Sequence, residues 1–219
     1  MAMTQRALGK RLRGGFAVVV GITLVCSLAG VMVIRRAASA GEAARTRSEQ
    51  AICAHDAAID GVGIYRAFAD MVINRTDQAA QAFTQAVAAF DKSVGTVTAD
   101  TQEEKADLQA AKDAAAAAAK IGTEEALPLV KQIAAKGLPA AQVVALEEQV
   151  AQLDSKIDAH VAIIVEKTQA IATSLTKESG EAAQALRNAA RMGIALLSAL
   201  ALLALVLGVA VSSALVRSI

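Results

Sequence analysis

Six side chains carry the chemistry that this sequence could perform. Arg66, Arg75 and Lys112 hold fixed positive charge, His160 becomes a double donor when protonated, and Tyr65 and Asn74 add neutral donors. Such a set suits an anion such as a carboxylate, because hydrogen bonds from guanidinium and ammonium groups to a charged acceptor are the strong ones. The plainer alternative makes Arg66 and Lys112 a solvated face and His160 a tolerated seam residue, since long charged chains are usually exposed. Cys53-Ala54-His55-Asp56 offers a thiol, an imidazole and a carboxylate, ligands that zinc accepts. No serine, histidine and acid fall at a catalytic spacing, and no paired-carboxylate cleft is evident, so no catalytic residue is assigned and no enzyme is expected. Lys10-Arg11-Leu12-Arg13-Gly14-Gly15 lacks the spacing of a phosphate-binding loop. No cofactor and no metal are assigned.

Composition says what kind of scaffold must position these groups. The chain has 219 residues, 55% hydrophobic but only 2% aromatic, with 20% charged and two prolines. Globular cores use aromatics to fill volume, so this balance points to an alanine-rich helical chain, partly in a membrane. A net charge of +1 leaves no basic excess to neutralise phosphates, so no nucleic-acid partner is expected. Two cysteines, Cys26 and Cys53, build no disulfide framework.

The distribution of charge is more informative than its sum. All 21 acids lie between Glu42 and Glu181, whereas residues 1–13 carry Arg6, Lys10, Arg11 and Arg13 with no acid. Two uncharged runs separate the zones: residues 14–34, 21 long, and residues 192–216, 25 long. A helix needs about 20 apolar residues to cross the hydrocarbon core, so both runs are expected to span a bilayer. A cleavable signal peptide ending at Ala38-Ser39-Ala40 is the alternative for the first. Its apolar run exceeds the ~7 to 15 residues of a signal, and Arg35-Arg36 intervenes. Short basic tails stay in the cytoplasm, which sets both termini inside and residues 35–191 outside; Arg35, Arg36, Arg45 and Arg47 oppose that assignment.

The outer segment is dominated by strong helix formers, with few breakers. Asn74-Arg75-Thr76-Asp77 gives a stop and N-cap candidates. Asp100 with Glu103 forms an aspartate version of a capping box, and Gly137 with Pro139 ends one helix and begins the next. Four helices result, at about 37–74, 77–94, 101–136 and 139 onward into the second span, with a kink expected near Gly122 and Pro128. Ala80, Phe83, Val87, Phe90 and Val94 form a seam on the second helix. Val143, Leu146, Val150, Leu153, Ile157, His160, Ile164 and Ile171 form one on the fourth.

An all-α, up-down-up-down four-helix bundle between two transmembrane helices accounts for these lengths. Ascents total 74 residues and descents 71, a mismatch of about 5 Å at 1.5 Å per residue. On that ruler Tyr65, Arg66, Phe83, Lys112 and His160 share one layer, with Asn74 and Arg75 at the top of the first helix. His55 then lies roughly 20 Å from His160, too far for one metal site in a monomer. Cys53 is expected to be a small hydrophobe, with a dimer-related site or an intersubunit bridge as its alternative. Gly180 interrupts an otherwise stiff fourth helix at a cost of about 1 kcal/mol, which outweighs a designed hinge. Ala204, Gly208 and Ser212 make a small-residue stripe suited to close helix contact, or a chance pattern in an alanine-rich span.

Basic tail, span, alanine-rich four-helix segment, second span and the closing Leu215-Val216-Arg217-Ser218-Ile219 together resemble the sensor half of a bacterial methyl-accepting chemotaxis protein. The last five residues are similar to the start of a HAMP relay, where this chain stops. The resemblance implies a periplasmic sensor domain in the inner membrane and a homodimer. It implies detection of a small, for example anionic, molecule or of a periplasmic binding protein. Output would pass through a HAMP domain to a kinase and an adaptor bound by a further cytoplasmic part. Two alternatives stand beside it: the input module of a histidine kinase or cyclic-nucleotide enzyme, and a helical spacer with no ligand.

Overall fold

The computed structural model describes residues 2–135 and 137–216. Lys136 and residues 217–219, where the HAMP-like relay is expected to begin, lie outside that range, as do the charged side chains of the 1–13 tail. Every described element is a helix: α1 (Ala2–Asn74), α2 (Asp77–Gly95), α3 (Gln102–Lys120), a π-helical turn (Ile121–Ala126), α4 (Leu127–Ala134) and α5 (Ala140–Val216). The first expected span and the first expected outer helix fall within one helix, α1, and the fourth helix and the second span within another, α5. α1 and α5 are each long and apolar enough to cross a membrane.

The chain divides into two compact units, Met1–Ala44 with Gly180–Ile219, and Arg45–Ser179. In the first, large apolar side chains face outward along both helices. Phe16 is 73% exposed, and Leu24, Leu28, Leu202 and Leu205 are each above 60%. In water such a surface would drive aggregation; in hydrocarbon it is the solvated one. Cys26 and Gly30 of α1 share a cleft with Leu200, Ala204 and Leu207 of α5, and Gly193 lets Val33 approach closely. Of the small-residue stripe, Ala204 lines that cleft and Gly208 has open space beside it.

The second unit is organised around Phe68, Phe83 and Phe90, all essentially inaccessible to solvent, with Ile64, Met71, Ile157 and Ile164. Alanines 111, 114, 115 and 118 supply the face of α3, which is why so few aromatics suffice. Phe68 and Phe83 meet edge to face with centroids 5.8 Å apart, the arrangement that ring quadrupoles favour. Pairing runs in opposite directions along neighbouring helices. Arg47 meets Glu178 and Arg75 meets Glu147 between α1 and α5; Asp60 meets Ser93 and Phe68 meets Phe83 between α1 and α2; Glu104 meets Ser174 and Asp107 meets Lys167 between α3 and α5.

The buried seam of α2 comprises Ala79, Phe83, Phe90 and Val94, close to the expected one. On α5 the buried positions are Val150, Leu153, Ile157, Val161, Ile164, Thr168, Ile171 and Leu175, so Val161 takes the place expected for His160. Both Asp100 and Thr101 precede a glutamate by three residues, and the second frame is the one used. Thr101 accepts from the Glu104 amide while the Glu104 carboxylate accepts from the Thr101 amide. Asp100 is instead engaged by Arg47.

The expected kink resolves into the π-helical turn. Pro128 offers no N–H to the Glu124 carbonyl, so an ordinary α-helical ladder cannot continue there. The chain widens, and the Leu127 amide reaches back to the Gly122 carbonyl. Gly122 lies directly against the Phe83 ring, which a Cβ at that position would overlap.

Candidate functional site

A cavity of about 390 Å³ opens at the end of the second unit where α1 stops. Its wall comes from α1 (Tyr65, Val72, Ile73), from Arg75 just beyond it, from α4 (Val130, Ile133) and from α5 (Glu147, Val150, Asp154). The size falls within the ~300 to 1,000 Å³ typical of small-molecule sites, and the lining has their usual mixture of apolar bulk and a few polar groups. Tyr65 and Arg75 are ten residues apart, about 15 Å by helical rise. The cavity is therefore elongated, with Tyr65 and Asp154 toward one end and Arg75 and Glu147 toward the other.

Of the six residues singled out by sequence, Tyr65 and Arg75 line this cavity. Arg66 is exposed and does not line the cavity, and Asn74 is exposed and donates to Asp70. Lys112 and His160 are half-buried on α3 and α5, and neither contributes to the lining. A shared height along the helices does not bring side chains together, because each residue also points at a fixed angle about its own helix.

Arg75 closes α1 in an uncommon way. Its φ of 53° is left-handed, a conformation usually taken by glycine, and its amide reaches the Met71 carbonyl at 3.1 Å. That turn directs the guanidinium to Glu147 at 2.8 Å, and Nε donates to the Val72 carbonyl at 3.3 Å. Asp154 forms no ion pair among the described residues. Burial pushes its carboxyl above the ordinary range, and Asp158 one turn along α5 adds to the shift. The Tyr65 phenol is raised by the negative field of Asp154 first, then by burial and Asp158, so it stays neutral. One base already bound to an acid thus faces a second, unpaired acid across apolar walls.

A polar cluster occupies the opposite end of the second unit. Arg47 bridges Asp100 and Glu178 at once, Gln50 accepts from the Thr98 amide, and buried Glu104 accepts from Ser174 at 2.9 Å. Hydrogen bonding and the two acids raise Arg47 above its usual value despite burial, which acts the other way. Charge thus ties α1, the start of α3 and α5 together at this end. His55 lies in a shallower cleft with Ser48, Gln169, Thr173 and Lys177, while half-buried Cys53 packs beside Ala54 and Ile171.

Glu147 and Asp154 are the cavity residues that sequence reasoning passed over. Their signal was available: two acids seven residues apart share one helix face, flanking buried Val150. Ile52, Ile59 and Ile73 were passed over as well. They are exposed at seven-residue spacing on α1, in line with Arg66. Neither family models, curated proteins nor solved structures give a match to this chain.

Proposed function

We propose that the chain is the sensor module of a transmembrane chemoreceptor in a bacterial inner membrane. The observation that carries this reading is continuity: α1 and α5 each run unbroken from a unit that holds a ligand-sized cavity into a unit clad in exposed apolar side chains. A small molecule seated between α1, α4 and α5 outside the membrane would shift α5, and a helix is stiff enough to carry the displacement through the second span. The antiparallel pairing of neighbouring helices supports an up-down-up-down four-helix bundle for residues 35–191. The basic, acid-free tail supports cytoplasmic termini, with HAMP, kinase and adaptor coupling beyond residue 216.

A homodimer completes the proposal. Ile52 and Ile59, seven residues apart on α1, stand 59% and 57% exposed, an apolar patch which a second copy of α1 would cover. The decisive experiment fuses this chain to the HAMP and signalling domains of a chemoreceptor and reads kinase activity in membranes. A change in activity when a library of amines, organic acids and amino acids is applied supports the proposal. Constant activity with every compound, in a fusion that folds and activates the kinase, favours the ligand-free spacer.

A further inference from the structure

The cavity beside Tyr65 presents a charge that nothing in its wall neutralises. Asp154 lines it half-buried and without an ion pair among the described residues, and Asp158 adds negative potential from one turn away. Arg75 is the lone base in the lining, and its guanidinium is held by Glu147 at 2.8 Å. An anion entering here would have to displace Glu147 and settle near Asp154. A cation would meet a carboxylate that has already lost part of its water, together with the phenol ring of Tyr65, whose π system attracts ammonium groups most where water is excluded. Val72, Val130 and Val150 give the remaining wall its apolar character.

We propose that this cavity binds a small organic cation, an ammonium group on an apolar body, with Asp154 and Tyr65 taking the ammonium and the valines taking the body. The anionic ligand expected from Arg66, Arg75, Lys112 and His160 has only Arg75 on the cavity wall. The proposal names the ligand class for the sensory function above and rests on that reading for its biological purpose; its test needs only binding.

Three probes matched in size isolate the charge: 2-phenylethylamine, 2-phenylethanol and phenylacetate, titrated calorimetrically into the full chain in lipid nanodiscs. The amine should bind at least about tenfold more tightly than phenylacetate, the difference expected for one charge-assisted contact. Asp154→Asn keeps the shape and removes the charge; it should weaken the amine about tenfold and leave 2-phenylethanol unchanged. Tyr65→Phe should bind the amine nearly as the parent does, whereas Tyr65→Leu should lose severalfold, and helical content of each variant verifies folding. Phenylacetate binding as tightly as the amine, no amine binding, or an amine affinity indifferent to Asp154→Asn would each overturn the proposal. A chain that binds the amine without altering kinase activity in the fusion keeps this proposal and sinks the sensory one. A kinase response to phenylacetate alone does the reverse.

Discussion

Glu104 shows how much a single buried carboxylate can organise. It is 2% exposed, and its oxygens accept from the Asp100 and Thr101 amides at 3.0 and 3.1 Å and from the Ser174 hydroxyl at 2.9 Å. Burial alone would raise its pKa, but the backbone donors of Thr101 and Asp100, with Ser174, outweigh it and hold the group below the ordinary range. A carboxyl held low in the folded state binds a proton less readily there than in the unfolded chain. Its stabilisation is complete above the unfolded value of about 4.3 and is lost as pH falls through the lower folded value. The melting temperature should therefore fall between about pH 5 and pH 3, and Glu104→Gln should flatten that dependence while costing about 1 to 3 kcal/mol at pH 7. An unchanged pH profile in the variant would contradict this. Gly122 makes the complementary case for shape. Gly122→Ala should cost about 1 to 3 kcal/mol by overpacking against Phe83, and Phe83→Leu in the same chain should recover part of the loss in thermal unfolding.

At the scale of elements, α1 has two working faces. One carries Ile64, Phe68 and Met71 into the core; the other carries the exposed isoleucines. In the proposed homodimer, Ile59→Glu should leave helical content intact and shift the chain from dimer to monomer in sedimentation of detergent-solubilised protein, because the two introduced charges would meet. A dimer of unchanged strength would locate the interface elsewhere. The seam of α2 was legible from sequence since Phe83, Phe90 and Val94 recur at helical spacing on a helix that buries a single stripe. The break in the third helix was legible as a place but not as a form: Gly122 and Pro128 mark it, but a missing N–H is met by a kink as readily as by a π-helical turn. The cavity was the least legible element. Height along a helix comes from counting, but which of Tyr65, Arg66, Lys112 and His160 turns inward depends on how α1, α4 and α5 pack. The expected layer contained one wall residue of its four polar members.

For the whole molecule, the separation of charge along the chain predicts its insertion. In a cysteine-free background, a cysteine replacing Gln102 should react with a membrane-impermeant maleimide in spheroplasts, and one replacing Gln5 should react only after lysis; the opposite pattern would invert the topology. The two long apolar helices were legible because absence of charge over 21 and 25 residues is a signal that packing cannot rewrite. Function was less legible, since an alanine-rich helical chain carries few chemically distinctive residues. The π-helical turn adds a consequence of another kind. Each of its hydrogen-bonded rings encloses one residue more than the α-helical rings on either side, so the segment behaves as a held insertion. Removing one residue there, Thr123 for example, would set α4 back by one helical position, a turn of about 100°. Val130 and Ile133 would then leave the cavity wall without either having been changed. The cavity wall thus depends on residue count as much as on residue identity.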